Sequence, residues 1–192
     1  MIQITPDNIQ KISKSLLAGE VVALPTETVF GLAVSLNSAA ALEKLIFLKR
    51  REINSGKIFT LVPESLAAIK NYAKLNKFTS DLIKKHFPGE LTLILPKNPN
   101  FSHPYFNHFT SVGIRIPNHP LFAQLLPETG PLLLTSANQR GAAPAITSDE
   151  VVKNLKKVDV VVVGSAGNNP PSTILDCTSK TPEILRKGNL AV

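Results

Sequence analysis

The sequence has little of what several common classes of protein depend on. Its 192 residues include a single cysteine, Cys177, which excludes an internal disulfide bond and a metal site built from several cysteines. The apolar runs are short, and none approaches the roughly 20 residues that a membrane-spanning helix needs. The N-terminus has no basic segment followed by an apolar stretch and a cleavage site. Together these absences predict a cytoplasmic protein that does not cross a membrane.

The motifs of the best-known nucleotide-binding and hydrolytic sites are also missing. Neither the phosphate-binding pattern GxxxxGK[ST] nor the dinucleotide-binding pattern GxGxxG occurs. Ser136 and Ser172 lack the GxSxG setting of a hydrolase nucleophile, and Cys177 lies mid-strand in ILDCT, where a small buried residue is expected. Covalent catalysis therefore has no clear candidate, which favours a site that binds anions and aligns reactants.

Histidines are few, and they do not form a recognisable metal site. His103 and His108 lie in KNPNFSHPYFNHFT, residues 97–110, where no carboxylate is nearby. A surface loop is therefore favoured over a zinc site, and no metal-binding residues are predicted. Because this segment has no consistent period, it is also the longest predicted loop and a candidate lid.

Positive charge is what the chain does have. Its 21 lysines and arginines outnumber 14 aspartates and glutamates, which gives a formal net charge of +7. This excess favours anionic partners such as nucleotides, nucleic acid or acidic lipid headgroups, without choosing among them.

Helix and strand patterns interleave along the whole chain. Thr5 and Pro6 predict the start of an amphipathic helix that Gly19 ends, and Asn37 and Ser38 open a second helix that runs into KRR at residues 49–51. The remaining predicted helices are at about 64–74 and 78–87, in HPLFAQLL and in SDEVVKNL. The predicted strands are EVVALP, KIFTLVP, LTLILP, VGIRIP, PLLLTSA, DVVVVG, STILDC and EILRK. The sequence thus predicts one α/β (α+β) domain over residues 1–192, a twisted mixed β-sheet layered with helices.

Four polar clusters fall at the ends of predicted strands. They are Thr26-Glu27-Thr28, Thr135-Ser136-Ala137-Asn138, Ser172-Thr173 and Arg186-Lys187-Gly188. Each alone is explained by ordinary turn and cap chemistry. Because loops at strand ends can converge on one crevice, the four together predict a single polar pocket.

Three basic residues suit an anionic ligand at such a pocket. Lys49 and Arg51 lie at the end of the second helix, and both can reach a pocket if that helix frays. Arg115 lies between Ile114 and Ile116 in an alternating strand, so its side chain points away from theirs. It is either a solvated surface residue or a ligand for carboxylate or phosphate.

The ordered segments PTETVFGL, KRR, GIRIP with HP, TSAN, PST and ILRKG resemble the YrdC/TsaC family of threonylcarbamoyl-AMP synthases, from about Ile9 to the C-terminus. The resemblance implies a YrdC-like domain with a basic concave cleft, in the short form without an extra C-terminal domain. It implies an enzyme that condenses L-threonine, bicarbonate or CO2, and ATP to threonylcarbamoyl-AMP and pyrophosphate, with Mg2+ accompanying ATP and no prosthetic group. The product serves N6-threonylcarbamoyladenosine formation at position 37 of tRNA. The implied partners are tRNA or double-stranded RNA and a downstream threonylcarbamoyl transferase complex.

The resemblance also implies roles for individual residues. The family's Lys-x-Arg and Ser-x-Asn signature falls on Lys49, Arg51, Ser136 and Asn138, which become the expected catalytic residues around the ATP phosphates. The expected ATP-binding residues are Arg51, Ser55, Lys57, Ser111, Ser136 and Arg186. The expected threonine-binding residues are Thr26, Thr28, Thr60, Arg115 and Ser172, with the Thr28 hydroxyl as the principal ligand.

Several positions depart from the family pattern. Glu52 and Glu90 stand where prolines are common, Ser55 replaces a larger polar or basic residue for which Lys57 can compensate, and Thr60 replaces a frequent histidine. Two other hypotheses are an RNA-binding module of the same fold and a nucleotide-binding regulator. Retention of Lys49, Arg51, Ser136 and Asn138 favours the synthase, because an RNA-binding groove needs cations but not this tetrad.

Overall fold

One mixed sheet of ten strands organises the described part of the chain, which is residues 1–50, 58–167 and 170–191 of a computed structural model. The strands are β1 (Ile2–Ile4), β2 (Val22–Leu24), β3 (Gly31–Ser35), β4 (Thr60–Val62), β5 (Leu91–Pro96), β6 (Ser111–Ile114), β7 (Leu132–Ser136), β8 (Val160–Val162), β9 (Thr173–Asp176) and β10 (Glu183–Arg186). The helices are α1 (Ile9–Leu17), α2 (Ala39–Leu48), α3 (Ile69–Tyr72), α4 (Lys77–His86), α5 (Pro120–Thr129) and α6 (Ser148–Asn154).

The strand order is β1-β8-β2-β3-β7-β4-β6-β5-β9-β10. Among the described strands, four neighbouring pairs are parallel (β1 with β8, β2 with β8, β4 with β6, β5 with β9), and the other five are antiparallel. The central strands β2 and β3 are buried along their whole length, which is typical of strands covered on both faces. The mixed sheet confirms the predicted fold class.

Helices cover the sheet and complete the core. α1 packs against α5 and β3, α2 packs against β3, and α6 packs against β8. The spacing of Ile12 and Leu16 explains the placement of α1, because both side chains face inward and are fully buried. Among the described residues, none of the helices has the length and apolar character needed to cross a bilayer.

Some predicted boundaries were wrong. The N-cap of α1 is Asn8 and not Thr5, because residues 5–8 form a separate turn in which the Thr5 carbonyl accepts from the Asn8 amide at 3.1 Å. Of the helix predicted at 64–74, only α3 forms. The strands β1 and β3 were not predicted.

The segment 97–110 is irregular as predicted, but aromatic packing holds it on the core. Tyr105 and Phe106 are buried, and the ring centroids of Phe101 and Phe106 lie 5.4 Å apart. The Lys97 ammonium donates to the Phe106 carbonyl at 2.8 Å. A short 3₁₀ helix covers Phe106–His108.

Candidate active site

A cavity of about 180 Å³ lies where the four polar clusters meet. Its lining includes the hydroxyl residues Thr26, Thr60, Thr92, Thr135, Ser136 and Ser172, the arginines Arg115 and Arg186, and an apolar wall of Phe30, Ile58, Leu134 and Ile174. Each of the four predicted clusters contributes at least one residue to this lining. The structure therefore confirms that the clusters converge.

Strand register explains why residues so far apart in sequence line one cavity. Gly31 pairs with Ser136 across β3 and β7, and Thr60 pairs with Leu134 across β4 and β7. On the other side, Thr92 pairs with Ile174. Because alternate residues of a strand face the same side, this ladder of partners places their side chains on one face of the sheet.

Gly31 leaves room for that ladder. A Cβ on Gly31 would lie 2.6 Å from the Leu134 Cδ1 atom. Such a contact is too short for any side chain to accept without displacing its neighbour. The glycine of PTETVFGL therefore leaves room for the Leu134 side chain, which lines the cavity.

Arg115 is buried and projects into the cavity wall, so the alternative of a solvated surface arginine was wrong. β6 ends at Ile114, and the Arg115 amide continues the ladder by donating to the Leu61 carbonyl at 3.2 Å. Its guanidinium donates to the Gly89 carbonyl and, through Nη2, to the Thr28 hydroxyl, both at 3.0 Å. It also forms an ion pair with Glu27 at 3.1 Å.

The loop of Thr26, Glu27 and Thr28 holds that arginine. The Thr26 Oγ1 atom donates to the Val29 carbonyl at 2.7 Å and lies 3.0 Å from the Thr28 Oγ1 atom. Thr26 lines the cavity, whereas Thr28 is fully buried behind it and contacts Arg115 instead. A Cβ on Gly167 would collide with the Glu27 carbonyl. Only glycine therefore allows the segment that follows β8 to pass this close to the loop of Thr26, Glu27 and Thr28.

A second network of hydrogen bonds lies along the opposite wall of the cavity. The hydroxyls of Thr92 and Ser172 are 2.8 Å apart. Arg186 donates to the Ser172 carbonyl through Nε at 2.9 Å and to its hydroxyl through Nη2 at 3.1 Å. Arg186 is therefore held in place although its strand, β10, lies at the edge of the sheet.

The two arginines give the cavity its charge. Burial lowers the pKa of the Arg186 guanidinium, and the nearby positive charge of Arg115 lowers it further. Although Arg115 is paired with Glu27, its charge still acts unfavourably on Arg186, and an anion bound between the two guanidinium groups would relieve that repulsion. Because guanidinium groups bind carboxylate or phosphate through paired hydrogen bonds, this wall suits such a ligand.

Lys49, Ser136 and Asn138 form a separate, tightly bonded cluster beside the cavity. The Lys49 ammonium donates to the carbonyls of Ser136 and Asn138 at 2.9 and 2.7 Å and to the Asn138 Oδ1 atom at 2.6 Å. The Ser136 hydroxyl also donates to that Oδ1 atom, at 2.7 Å. All three ammonium protons are thus used to shape the TSAN loop.

The other expected site residues differ in their placement. Thr60 lines the cavity, and Ser111 begins β6 two residues before Gly113, the partner of Thr60. Ser111 is half-buried and does not line the cavity. Arg51, Ser55 and Lys57 lie outside the described residues.

Thr92 is the cavity residue that the sequence reasoning missed. It is buried within LTLILP, where it was interpreted only as part of an apolar strand. A threonine interrupting four apolar residues in a buried strand is the signal that could have identified it, since a buried hydroxyl requires a partner.

The described lining of the cavity has none of the carboxylate, imidazole or thiolate groups that usually bind a metal ion. In the part of the chain that the structure describes, no group of three or more histidine, cysteine, aspartate or glutamate side chains is arranged to hold a metal ion. The described lining contains hydroxyls and guanidinium groups but no carboxylate. Its donors suit the oxygens of an anionic substrate.

A mixed sheet that carries a hydroxyl-lined cavity with two arginines defines an α/β protein whose cavity is suited to a small anionic ligand. A sequence profile for Sua5, YciO and YrdC proteins, described as "Telomere recombination", matches residues 14–188. The chain therefore belongs to the Sua5/YciO/YrdC family.

Individual relatives agree with this assignment. The chain is 35% identical to a threonylcarbamoyl-AMP synthase of Vibrio campbellii, over 94% of this chain and 99% of the relative. It superposes with a TM-score of 0.87 on P. abyssi Sua5 complexed with L-threonine, with 26% identity, and covers 57% of that longer chain. E. coli YciO shares the fold, with a TM-score of 0.85, 24% identity and coverage of 98% of this chain and 94% of YciO.

Proposed function

We propose that the protein is an L-threonylcarbamoyladenylate synthase, which makes threonylcarbamoyl-AMP and pyrophosphate from L-threonine, bicarbonate or CO2, and ATP. The observation that carries this proposal is the pair Arg115 and Arg186, converging with six hydroxyl residues on one cavity beside the Lys49 cluster. The name of the Vibrio campbellii relative and the threonine in the Sua5 complex support the same assignment.

Threonine fits the arginine-lined part of the cavity. Its carboxylate would lie between Arg115 and Arg186, where it relieves the repulsion of the two cations. The hydroxyls of Thr26, Thr60 and Ser172 offer partners for its amine and hydroxyl. Thr28 would act indirectly by orienting Arg115, because its hydroxyl already accepts from that guanidinium.

ATP would approach from the side of the TSAN loop. Ser136 belongs both to the cavity lining and to the Lys49 cluster, so it lies at the boundary of the two. Lys49 would hold the loop and Asn138 in the geometry that receives the phosphates. By family resemblance, Arg51, Ser55, Lys57 and Ser111 would contact the nucleotide together with Arg186.

Mg2+ would enter as part of the MgATP substrate. Magnesium is commonly bound through substrate phosphates and water rather than by an all-protein cage. A lining of hydroxyls and arginines fits this mode, because the phosphates would supply the charged ligands.

The chemistry requires alignment and charge stabilisation. The neutral threonine amine attacks CO2 and releases a proton to solvent to give a carbamate, and a carbamate oxygen then attacks the α-phosphorus. The bond from that phosphorus to the bridging oxygen breaks, and pyrophosphate leaves with the electron pair. Fixed cations and hydroxyl donors would orient the two anions and stabilise charge on the transferring group. The unstable product would pass to a threonylcarbamoyl transferase that modifies tRNA.

Threonine-dependent release of pyrophosphate tests the proposal. We expect release when ATP, Mg2+, bicarbonate and L-threonine are all present, and a rate at least about tenfold lower in Arg186→Gln, since a charged contact is lost. Lys180→Gln, an exposed change of equal charge on the turn before β10, serves as the matched control. Absence of release from the wild type would refute the synthase assignment.

A further inference from the structure

A second concave surface lies beside the TSAN loop, away from the arginine-lined cavity. Two cavities of about 620 and 410 Å³ share Phe47, Leu48 and Lys157 as walls. We call this surface the basic groove. The larger cavity is lined by Ile46, Phe47, Leu48, Arg50, Gln139, Arg140, Lys153, Asn154, Leu155, Lys156 and Lys157, and the smaller one adds Glu43, Lys44 and Asp159.

The larger cavity of the groove is strongly cationic. Its described lining contains five basic side chains, Arg50, Arg140, Lys153, Lys156 and Lys157, and no carboxylate. None of the five forms an ion pair within the described residues. In the smaller cavity, Lys44 is paired with Asp159 at 3.4 Å. Positive charge without a carboxylate partner among the described residues is therefore concentrated in the larger cavity.

Phe47 stands exposed in the middle of this charge. It is 65% exposed, and the Lys157 ammonium lies 4.6 Å from the centre of its ring. An aromatic ring that stays mostly exposed gains little for the stability of the fold. An aromatic platform within a row of cations is the arrangement by which proteins bind single-stranded nucleic acid.

The backbone at Arg50 provides an independent observation. Arg50 has φ of +44°, the left-handed conformation that a helix end usually gives to glycine. The cost of holding a larger residue there is about 1–2 kcal/mol. This turn directs Lys49 into the TSAN cluster and Arg50 into the groove. Such strain is most often retained where the side chain has a function.

The groove shares its walls with the candidate active site. Asn138 contacts Lys49, and the next residue, Gln139, donates to the Asn154 carbonyl at the end of α6 at 2.9 Å. The same two chain segments therefore face the catalytic cluster on one side and the groove on the other. A ligand in the groove would lie directly behind the TSAN loop.

We propose that the basic groove binds a single-stranded segment of RNA, with phosphates on the five cations and a base stacked on Phe47. Two adjoining cavities share Phe47 as a wall, which favours an extended ligand over one free nucleotide. The exposed aromatic favours nucleic acid over an acidic peptide, because every base offers a π-face to stack on. The choice of RNA rests on the proposed function, whose product is destined for tRNA.

Fluorescence anisotropy with a labelled oligoadenylate, without ATP or threonine, tests the proposal. Five phosphate contacts predict a plot of log K against log salt with a slope of about −3.5 for a single strand. Lys153→Ala with Lys156→Ala should reduce the slope to about −2. The matched control, Lys84→Ala with Lys85→Ala on α4, removes the same charge elsewhere and should keep the wild-type slope.

The aromatic contribution is tested separately. Phe47→Ala should weaken binding roughly tenfold through loss of stacking. Phe78→Ala, which removes another exposed phenylalanine on α4, should not. Binding to polyglutamate or to anionic lipid vesicles with equal affinity, and with equal loss in both groove variants, would overturn RNA as the ligand. Unchanged RNA binding in both would overturn the groove itself. Neither result depends on pyrophosphate release.

Discussion

Thr28 either binds the substrate directly or positions Arg115, and one substitution distinguishes these two roles. Sequence resemblance places the Thr28 hydroxyl on threonine, but the structure places it 3.0 Å from the Arg115 Nη2 atom and fully buried. Thr28→Val keeps the shape of the side chain and removes the hydroxyl. The Arg115 contacts with Gly89 and Glu27 remain.

The expected losses follow from that one contact. A hydrogen bond to a charged group contributes about 1.5–3 kcal/mol, so the free energy of unfolding should fall by about that amount. The melting temperature should fall by roughly 3–12 °C for a chain of this size. If the lower value also applies to orientation of Arg115 toward a carboxylate, kcat/KM for threonine should fall about tenfold.

Comparison of two amino acids separates the interpretations. L-2-aminobutyrate has the carboxylate and methyl group of threonine but lacks its hydroxyl. Because Thr28 is expected to act through Arg115, Thr28→Val should lower kcat/KM for both substrates by the same factor. Thr28→Ser, which retains the hydroxyl, should restore most of the rate. A loss confined to L-threonine would show that Thr28 contacts the substrate hydroxyl directly, and would refute this reasoning.

Three further predictions follow from the contacts around the site. Lys49→Met removes three hydrogen bonds to the TSAN loop, so we expect a loss of about 2–3 kcal/mol in urea denaturation and at least a tenfold lower rate of pyrophosphate release. Thr92→Val leaves the Ser172 hydroxyl with Arg186 only, so KM for threonine should rise while stability falls by about 1 kcal/mol. Burial lowers the pKa of His119, although Glu27 opposes this shift, so the free energy of unfolding should decrease as pH falls below 6.5, and His119→Asn should flatten that dependence in urea titrations at several pH values.

Burial sets the sign of the last prediction, and the helix cap acts in the same direction. The neutral His119 ring accepts from the Leu121 amide through Nδ1 at 3.3 Å, and protonation removes that acceptor. The unfolded state then binds more protons, so stability is present above the unfolded pKa and is lost as pH falls toward the folded one. An unchanged pH profile in His119→Asn would contradict this. A wild-type rate in Lys49→Met, or an unchanged KM in Thr92→Val, would remove those residues from the site.

Helix spacing and helix caps could be predicted from the sequence because both depend on residues that are close together in the chain. The spacing of Ile12 and Leu16 predicted α1, and Asn37 with Ser38 marked the start of α2, whose N-cap is Ser38. β3 was missed because all five of its residues are buried, so it shows no alternation. β1 is a three-residue edge strand, and its pairing with β8 comes from a distant part of the chain.

The candidate site was predictable as a set of residue types but not as a geometry. Polar clusters at strand ends indicated one pocket, and the structure brings members of all four together. The direction of a hydroxyl depends on strand register for Thr92 and on the course of the loop between β2 and β3 for Thr28, and sequence alone specifies neither. This is why Thr28 was assigned to the ligand and Thr92 to the core, whereas the contacts place them differently.

Direct detection of the product tests the central claim, that this cavity joins threonine, CO2 and ATP. The protein is incubated with ¹³C-labelled bicarbonate, ATP, Mg2+ and L-threonine, and the adenylate fraction is examined at once by mass spectrometry. The account predicts a threonylcarbamoyl adenylate that carries one labelled carbon, formed only when every substrate is present and strongly reduced in Arg186→Gln. Labelled adenylate formed without threonine, or none formed by the wild-type protein, would contradict it.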